Sequence, residues 1–92
     1  MTIRDFKEYI SDLVGFEVEA GTIFFDDLGL DELDIEILLL KIASDFNVDF
    51  TGFDYRDFRP RNFELLTGRR HKVFDLNHLF DVVKSGKWSN PN

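Results

Sequence analysis

The stretch "DDLGLDELDIEILLL", Asp26–Leu40, decides how this chain is read. It passes from a loop through a glycine turn into an acidic segment and then into a dense apolar run. Asp31 stands where a helix N-cap belongs, its side-chain oxygen able to accept from the backbone N–H of Leu33 or Asp34. Glu32, Asp34 and Glu36 fall in or near the first turn, where negative charge is favoured by the positive end of the helix dipole. Ile35, Leu38, Leu39, Ile42 and Phe46 then recur at helical spacing and predict a buried stripe. Ile37 and Leu40 are expected to widen that stripe, which makes this helix central to the core. Asn47 is a reasonable terminator.

Upstream, Thr2-x-x-Asp5 has the form of a capping box with Asp in place of the usual Glu. Ile3, Phe6, Ile10, Leu13 and Val14 follow at helical spacing, so an amphipathic helix is predicted over 2–14, with Gly15 as its stop. Residues 16–30 form a long connection. Phe16, Ile23, Phe24, Phe25, Leu28 and Leu30 suggest that it packs onto the body, and connections of this length are more often functional than decorative.

Downstream, residues 47–74 admit more than one reading: a short helix, an extended segment, or a hairpin turning at Thr67-Gly68. Phe50, Phe53, Tyr55 and Phe58 would pin the segment to the body, and Pro60 ends whatever precedes it. A last helix is clearer. Asp75 can cap it, Leu76, Leu79, Phe80, Val82 and Val83 give its apolar face, Lys84 suits the last turn, and Gly86 suits the left-handed position beyond. Trp88 is expected to fold back on the core. Residues 1–88 thus read as a single domain and 89–92 as a frayed tail.

Ninety-two residues supply one core. The absence of cysteine removes disulfides, thiolate metal sites and thiol nucleophiles together. No apolar run approaches the roughly 20 residues that span a bilayer, and the first residues lack a basic-then-apolar signal pattern, so a cytoplasmic location without membrane contact is expected. The net charge of −7 is unevenly spread. Residues 1–50 carry thirteen acids against three bases, whereas residues 51–92 carry five against eight. Such asymmetry suggests an acidic face that could steer a basic partner.

The frame Gly29-Leu30-Asp31-Glu32-Leu33-Asp34 resembles the junction of the acyl carrier proteins, which reads Gly-x-Asp-Ser-Leu-Asp and whose serine carries phosphopantetheine. The glycine, both aspartates and the leucine match; Glu32 stands at the serine's position. The following "ELDIEILLLKIASDFNVDF" also looks like that family's second helix and its exit. The resemblance covers most of the chain and weakens between residues 55 and 74. The chain is more closely similar to a small bacterial family, domain of unknown function 1493, itself acyl-carrier-like. The matching pieces are "DDLGLD" (Asp26–Asp31), "FNVDFTGFD" (Phe46–Asp54) and "SGKW" (Ser85–Trp88). That family usually lacks the attachment serine as well. The resemblance implies a mainly α fold, an acyl-carrier-like three- or four-helix bundle with a long first loop, and almost nothing about activity.

Chemistry narrows the expectation further. Attaching phosphopantetheine needs an oxygen nucleophile that can form a phosphodiester, and Glu32 cannot. Ser44 lies roughly three turns along the helix, and Thr22 lies in the loop, so neither replaces the missing hydroxyl. No phosphopantetheine or other cofactor is therefore expected. The acids Asp26, Asp27, Asp31, Glu32, Asp34 and Glu36 lack the ligand order of a calcium loop, and His71 and His78 suggest no third ligand, so no metal site is expected either. Arg56, Arg59, Arg61, Arg69, Arg70 and Lys72 are interleaved with aromatics, but the overall acidity argues against nucleic acid. Phe6, Phe16, Phe24, Phe25, Phe46 and Phe80 are expected to fill the interior and leave little room for a lipid. The expected function is non-catalytic: a protein–protein interaction or regulatory module that offers Asp27, Asp31, Glu32, Asp34 and Glu36 to a basic surface of a partner protein. Two rivals are a carrier with an atypical attachment residue and a small acidic inhibitor or immunity-like protein.

Overall fold

Local signals place the helix ends before any tertiary packing is considered. The computed structural model describes residues 1–24, 28–54, 57–58 and 73–91. Among them are three helices, α1 (Ile3–Val14), α2 (Glu32–Phe46) and α3 (Leu76–Ser85), and no strand beyond isolated bridges. Thr2 caps α1 in a reciprocal box: its hydroxyl accepts from the Asp5 N–H at 3.2 Å, and its own N–H donates to the Asp5 carboxylate at 3.1 Å. Asp75 caps α3 by accepting from the His78 N–H at 2.9 Å. Gly15 and Gly86 end α1 and α3 in the left-handed region, at φ 86° and 83°. Asn47 does the same for α2 at φ 57°, a conformation asparagine tolerates better than most residues. The fold is mainly α, as the periodicity predicts.

Among the described residues the core has two aromatic centres. Phe6 of α1 meets Phe80 of α3 at 5.6 Å between ring centroids and Phe46 of α2 at 6.0 Å, so this ring ties all three helices together. Tyr9 packs edge-on against Phe46 at 4.9 Å, and its hydroxyl donates to the Asp45 carboxylate at 2.6 Å. The second centre lies beyond α2 in sequence. Phe53 stacks on Phe58 at 5.4 Å, and Phe58 meets Phe74 and Trp88 edge-on at 5.1 and 5.6 Å. Trp88 is buried, so the chain does fold back after α3. Edge-to-face pairs of this kind place the positive ring edge over a negative face.

Backbone bridges hold the connections to these centres. Phe24 donates its N–H to Phe74 O at 3.2 Å, within an antiparallel bridge between Ile23 and Asp75. Asp49 and Lys87 form a parallel bridge, flanked by Asp49 N to Gly86 O at 2.9 Å and Trp88 N to Asp49 O at 2.7 Å. That bridge is the extended pairing observed within 47–54. Tyr55, Pro60, Phe25 and the hairpin expected at Thr67-Gly68 lie outside the described residues.

Two apolar assignments need correction. Ile37 and Leu40 do not widen the buried stripe of α2; they face outward, 58% and 63% exposed. The core face is already filled by Ile35, Leu38, Leu39 and Ile42, and at about 100° per residue the two are turned away from it. Phe16 is likewise not interior, being 48% exposed. The left-handed turn at Gly15 redirects the chain, and Val18 takes the inward place, anchored by its N–H to the Ser11 hydroxyl at 3.1 Å.

Phe6→Ala should destabilise the protein by about 3–5 kcal/mol in urea titrations, because it removes the ring shared by the three helices. The Tyr9–Asp45 bond makes stability depend on pH in two windows. Burial, with the hydrogen bond to Asp45, raises the Tyr9 phenol above its ordinary value, so its contribution is full below about pH 10 and is lost as pH rises beyond that. The same bond lowers the Asp45 carboxyl, so its contribution is full above about pH 4 and is lost as pH falls further. Thermal unfolding of Tyr9→Phe against pH should therefore show shallower losses at both ends than the parent chain does.

Candidate functional site on the second helix

Asp31 sets the start of α2. Its carboxylate accepts from the Asp34 N–H at 2.8 Å while the Asp34 carboxylate accepts from the Asp31 N–H at 3.3 Å, and Ile35 N closes the first turn on Asp31 O at 3.0 Å. Both carboxylates are exposed near the positive end of the helix dipole. Leu28 and Leu30 pack against the core on either side of Gly29, which turns the chain at φ 64°. The doorway is thus held from below by leucines and from above by its own cap.

The five sequence-derived site residues do not share one surface. Asp31, Asp34 and Glu36 are exposed, whereas Glu32 is half-buried. Asp27 lies outside the described residues. Helical geometry sends Glu32 and Glu36 to one flank of α2 and Asp34 to the other. Lys41 and Asp45 follow Asp34 on its flank and form an i,i+4 ion pair at 3.5 Å.

Between these flanks lies a feature that the sequence reading missed. Leu33, Ile37 and Leu40 follow one another at i, i+4 and i+7 and are 61%, 58% and 63% exposed. They form an apolar ridge on the side of α2 opposite Ile35, Leu38, Leu39 and Ile42. An open groove borders it on each side, one at Ile37 and the other at Leu40. One, of about 430 Å³, is lined by Leu13, Val14, Leu30, Asp34, Ile37, Leu38 and Lys41. The other, of about 420 Å³, is lined by Glu32, Ile35, Glu36, Leu39, Leu40, Ala43, Phe50 and Phe53. The signal was present as a second apolar line in the same fifteen residues, out of phase with the first.

The arrangement suits recognition. Ser44 is exposed on α2 far from the cap, and the Thr22 hydroxyl accepts from the Glu19 N–H at 2.9 Å within the loop. Among the described residues no three His, Cys, Asp or Glu side chains come together in a way that could hold a metal ion. His78 bonds through Nε2 to Ser89 O at 2.7 Å, so that nitrogen carries a proton, and its ring meets Trp88 edge-on at 5.2 Å. Its role is to tie the end of the chain to α3. His71 and the arginines from Arg56 to Arg70 are outside the described residues. No helix of the described residues is long and apolar enough to cross a membrane.

No curated protein and no solved structure matches the chain. The family model described as "Protein of unknown function (DUF1493)" matches residues 4–90, and the chain belongs to that family.

Proposed function

We propose that the protein is a non-catalytic, acyl-carrier-like interaction module that recognises a basic surface of a partner protein through α2. The observation that carries this reading is the exposure of Asp31, Asp34 and Glu36 at and just beyond the first turn of α2. Carboxylates at that end are favoured by the dipole and need no partner to explain them. Together with the acidic first half of the chain, they create a field that speeds encounter with a basic partner and weakens as salt rises.

The carrier-like frame enters as a scaffold without the carrier's chemistry. Glu32 stands where the attachment hydroxyl would have to be, and a carboxylate cannot take up phosphopantetheine as a phosphodiester. Its carboxylate stands at the position where a modified carrier has its phosphate, which supports recognition by charge alone.

Affinity capture from the source cells tests the reading, with the parent chain and an Asp34→Asn/Glu36→Gln variant as parallel baits. A specific partner should be retained by the parent at low salt and lost from it at raised salt, and the variant should retain severalfold less. Retention that is indifferent to both salt and the two carboxylates contradicts the reading. Intact-mass analysis after incubation with coenzyme A and a phosphopantetheinyl transferase should show an unchanged chain; an adduct would make it a carrier instead.

A further inference from the structure

The geometry points to one class of occupant for the outward face of α2: an amphipathic helix of a partner protein whose apolar stripe is flanked by Lys or Arg. This inference rests on the proposal that α2 recognises a basic partner, and it assigns the affinity to the apolar ridge and the selectivity to the carboxylates. Leu33, Ile37 and Leu40 are the anchors.

Three observations lead there. First, the ridge is a straight line of large side chains at i, i+4 and i+7, exposed on a helix whose core contacts are complete without it. Contiguous exposed apolar surface rimmed by polar groups is the mark of an interaction site. Secondly, a groove accompanies the ridge on each side, floored by Val14, Leu30 and Leu38 on one and by Ile35, Leu39 and Ala43 on the other. A ridge between two grooves is the relief that a packed helix presents to another helix, whose own side-chain rows enter the grooves. The half-exposed Leu13 extends the apolar wall of the first groove onto α1.

Thirdly, the charges beside the ridge choose the partner. Glu36 stands on one flank and Asp34 on the other, and the only base of α2, Lys41, is already engaged by Asp45 at 3.5 Å. A helix with Lys or Arg on both sides of its apolar stripe would meet these two carboxylates beside the first half of the ridge. A second copy of the chain would set the same carboxylates against each other, and an anionic lipid surface would be repelled. Each is disfavoured by like charge at short range.

The test uses the whole chain and three synthetic helical peptides of roughly 15–20 residues, long enough for several turns. One carries leucines at i, i+3, i+4 and i+7 between lysines. The second keeps the leucines and replaces lysine by glutamate. The third keeps the composition of the first with the leucines scattered. The first should bind and shift backbone amide resonances along Leu33–Ser44, with at least tenfold weaker binding to Leu33→Ser/Ile37→Ser/Leu40→Ser at an unchanged unfolding midpoint. Asp34→Asn/Glu36→Gln should mainly flatten the salt dependence of binding by the first peptide.

Equal binding of the scattered peptide would sink the ridge while leaving the charge-based proposal standing. Equal binding of the glutamate peptide would sink both. No binding of the first peptide at low salt, or shifts confined to other elements, overturns the inference. So does ridge-dependent self-association in sedimentation, or ridge-dependent binding to phosphatidylglycerol-containing vesicles.

Discussion

Helix α2 carries apolar side chains around more of its circumference than one contact face can cover. The inward arc of Ile35, Leu38, Leu39 and Ile42 completes the core with α1, α3 and the loops. Because helical rotation is shared by every residue, seating that arc necessarily turns Leu33, Ile37 and Leu40 to water. The rest of the molecule accommodates this rotation. Phe46 meets Phe6 and Tyr9 at the end of the helix, and Tyr9 holds Asp45 beside them, so α2 has little freedom to roll.

The acids gain meaning from that geometry. Taken alone, Asp31 and Asp34 are a capping box and Glu36 is an exposed residue just beyond the first turn, all favoured by helix-end electrostatics. The same carboxylates stand beside an exposed leucine–isoleucine ridge, and under the proposal they would bias what may cover it. One set of side chains would then both support the helix and restrict its company. In that arrangement Glu32 lines the groove beside Leu40.

The helix ends were legible because their causes are local. Thr2, Asp31 and Asp75 bond to backbone N–H groups three residues on, and Gly15, Asn47 and Gly86 answer to backbone conformation, so each can be read from a few neighbouring letters. The fates of Ile37, Leu40 and Phe16 are decided at a distance. Periodicity gives the spacing of an apolar line but not which of two lines the core will accept, and nothing near Phe16 announces that Val18 will take the inward place. The candidate site was therefore only half legible. Its carboxylates stand out by charge, while its ridge was mistaken for core because leucine and isoleucine are the usual occupants of one.

The chain has no cysteine, which allows the rotation of α2 to be measured directly. Ile37→Cys and Ile42→Cys, made separately, would each carry a single thiol whose labelling rate under native conditions is compared with that in the unfolded chain. The account predicts that Ile37→Cys reacts within about tenfold of its unfolded rate, as an exposed side chain should, while Ile42→Cys is protected about a thousandfold or more, as a site that opens only on unfolding. Comparable protection at the two positions would mean that α2 is covered on both sides, and the outward ridge would not exist.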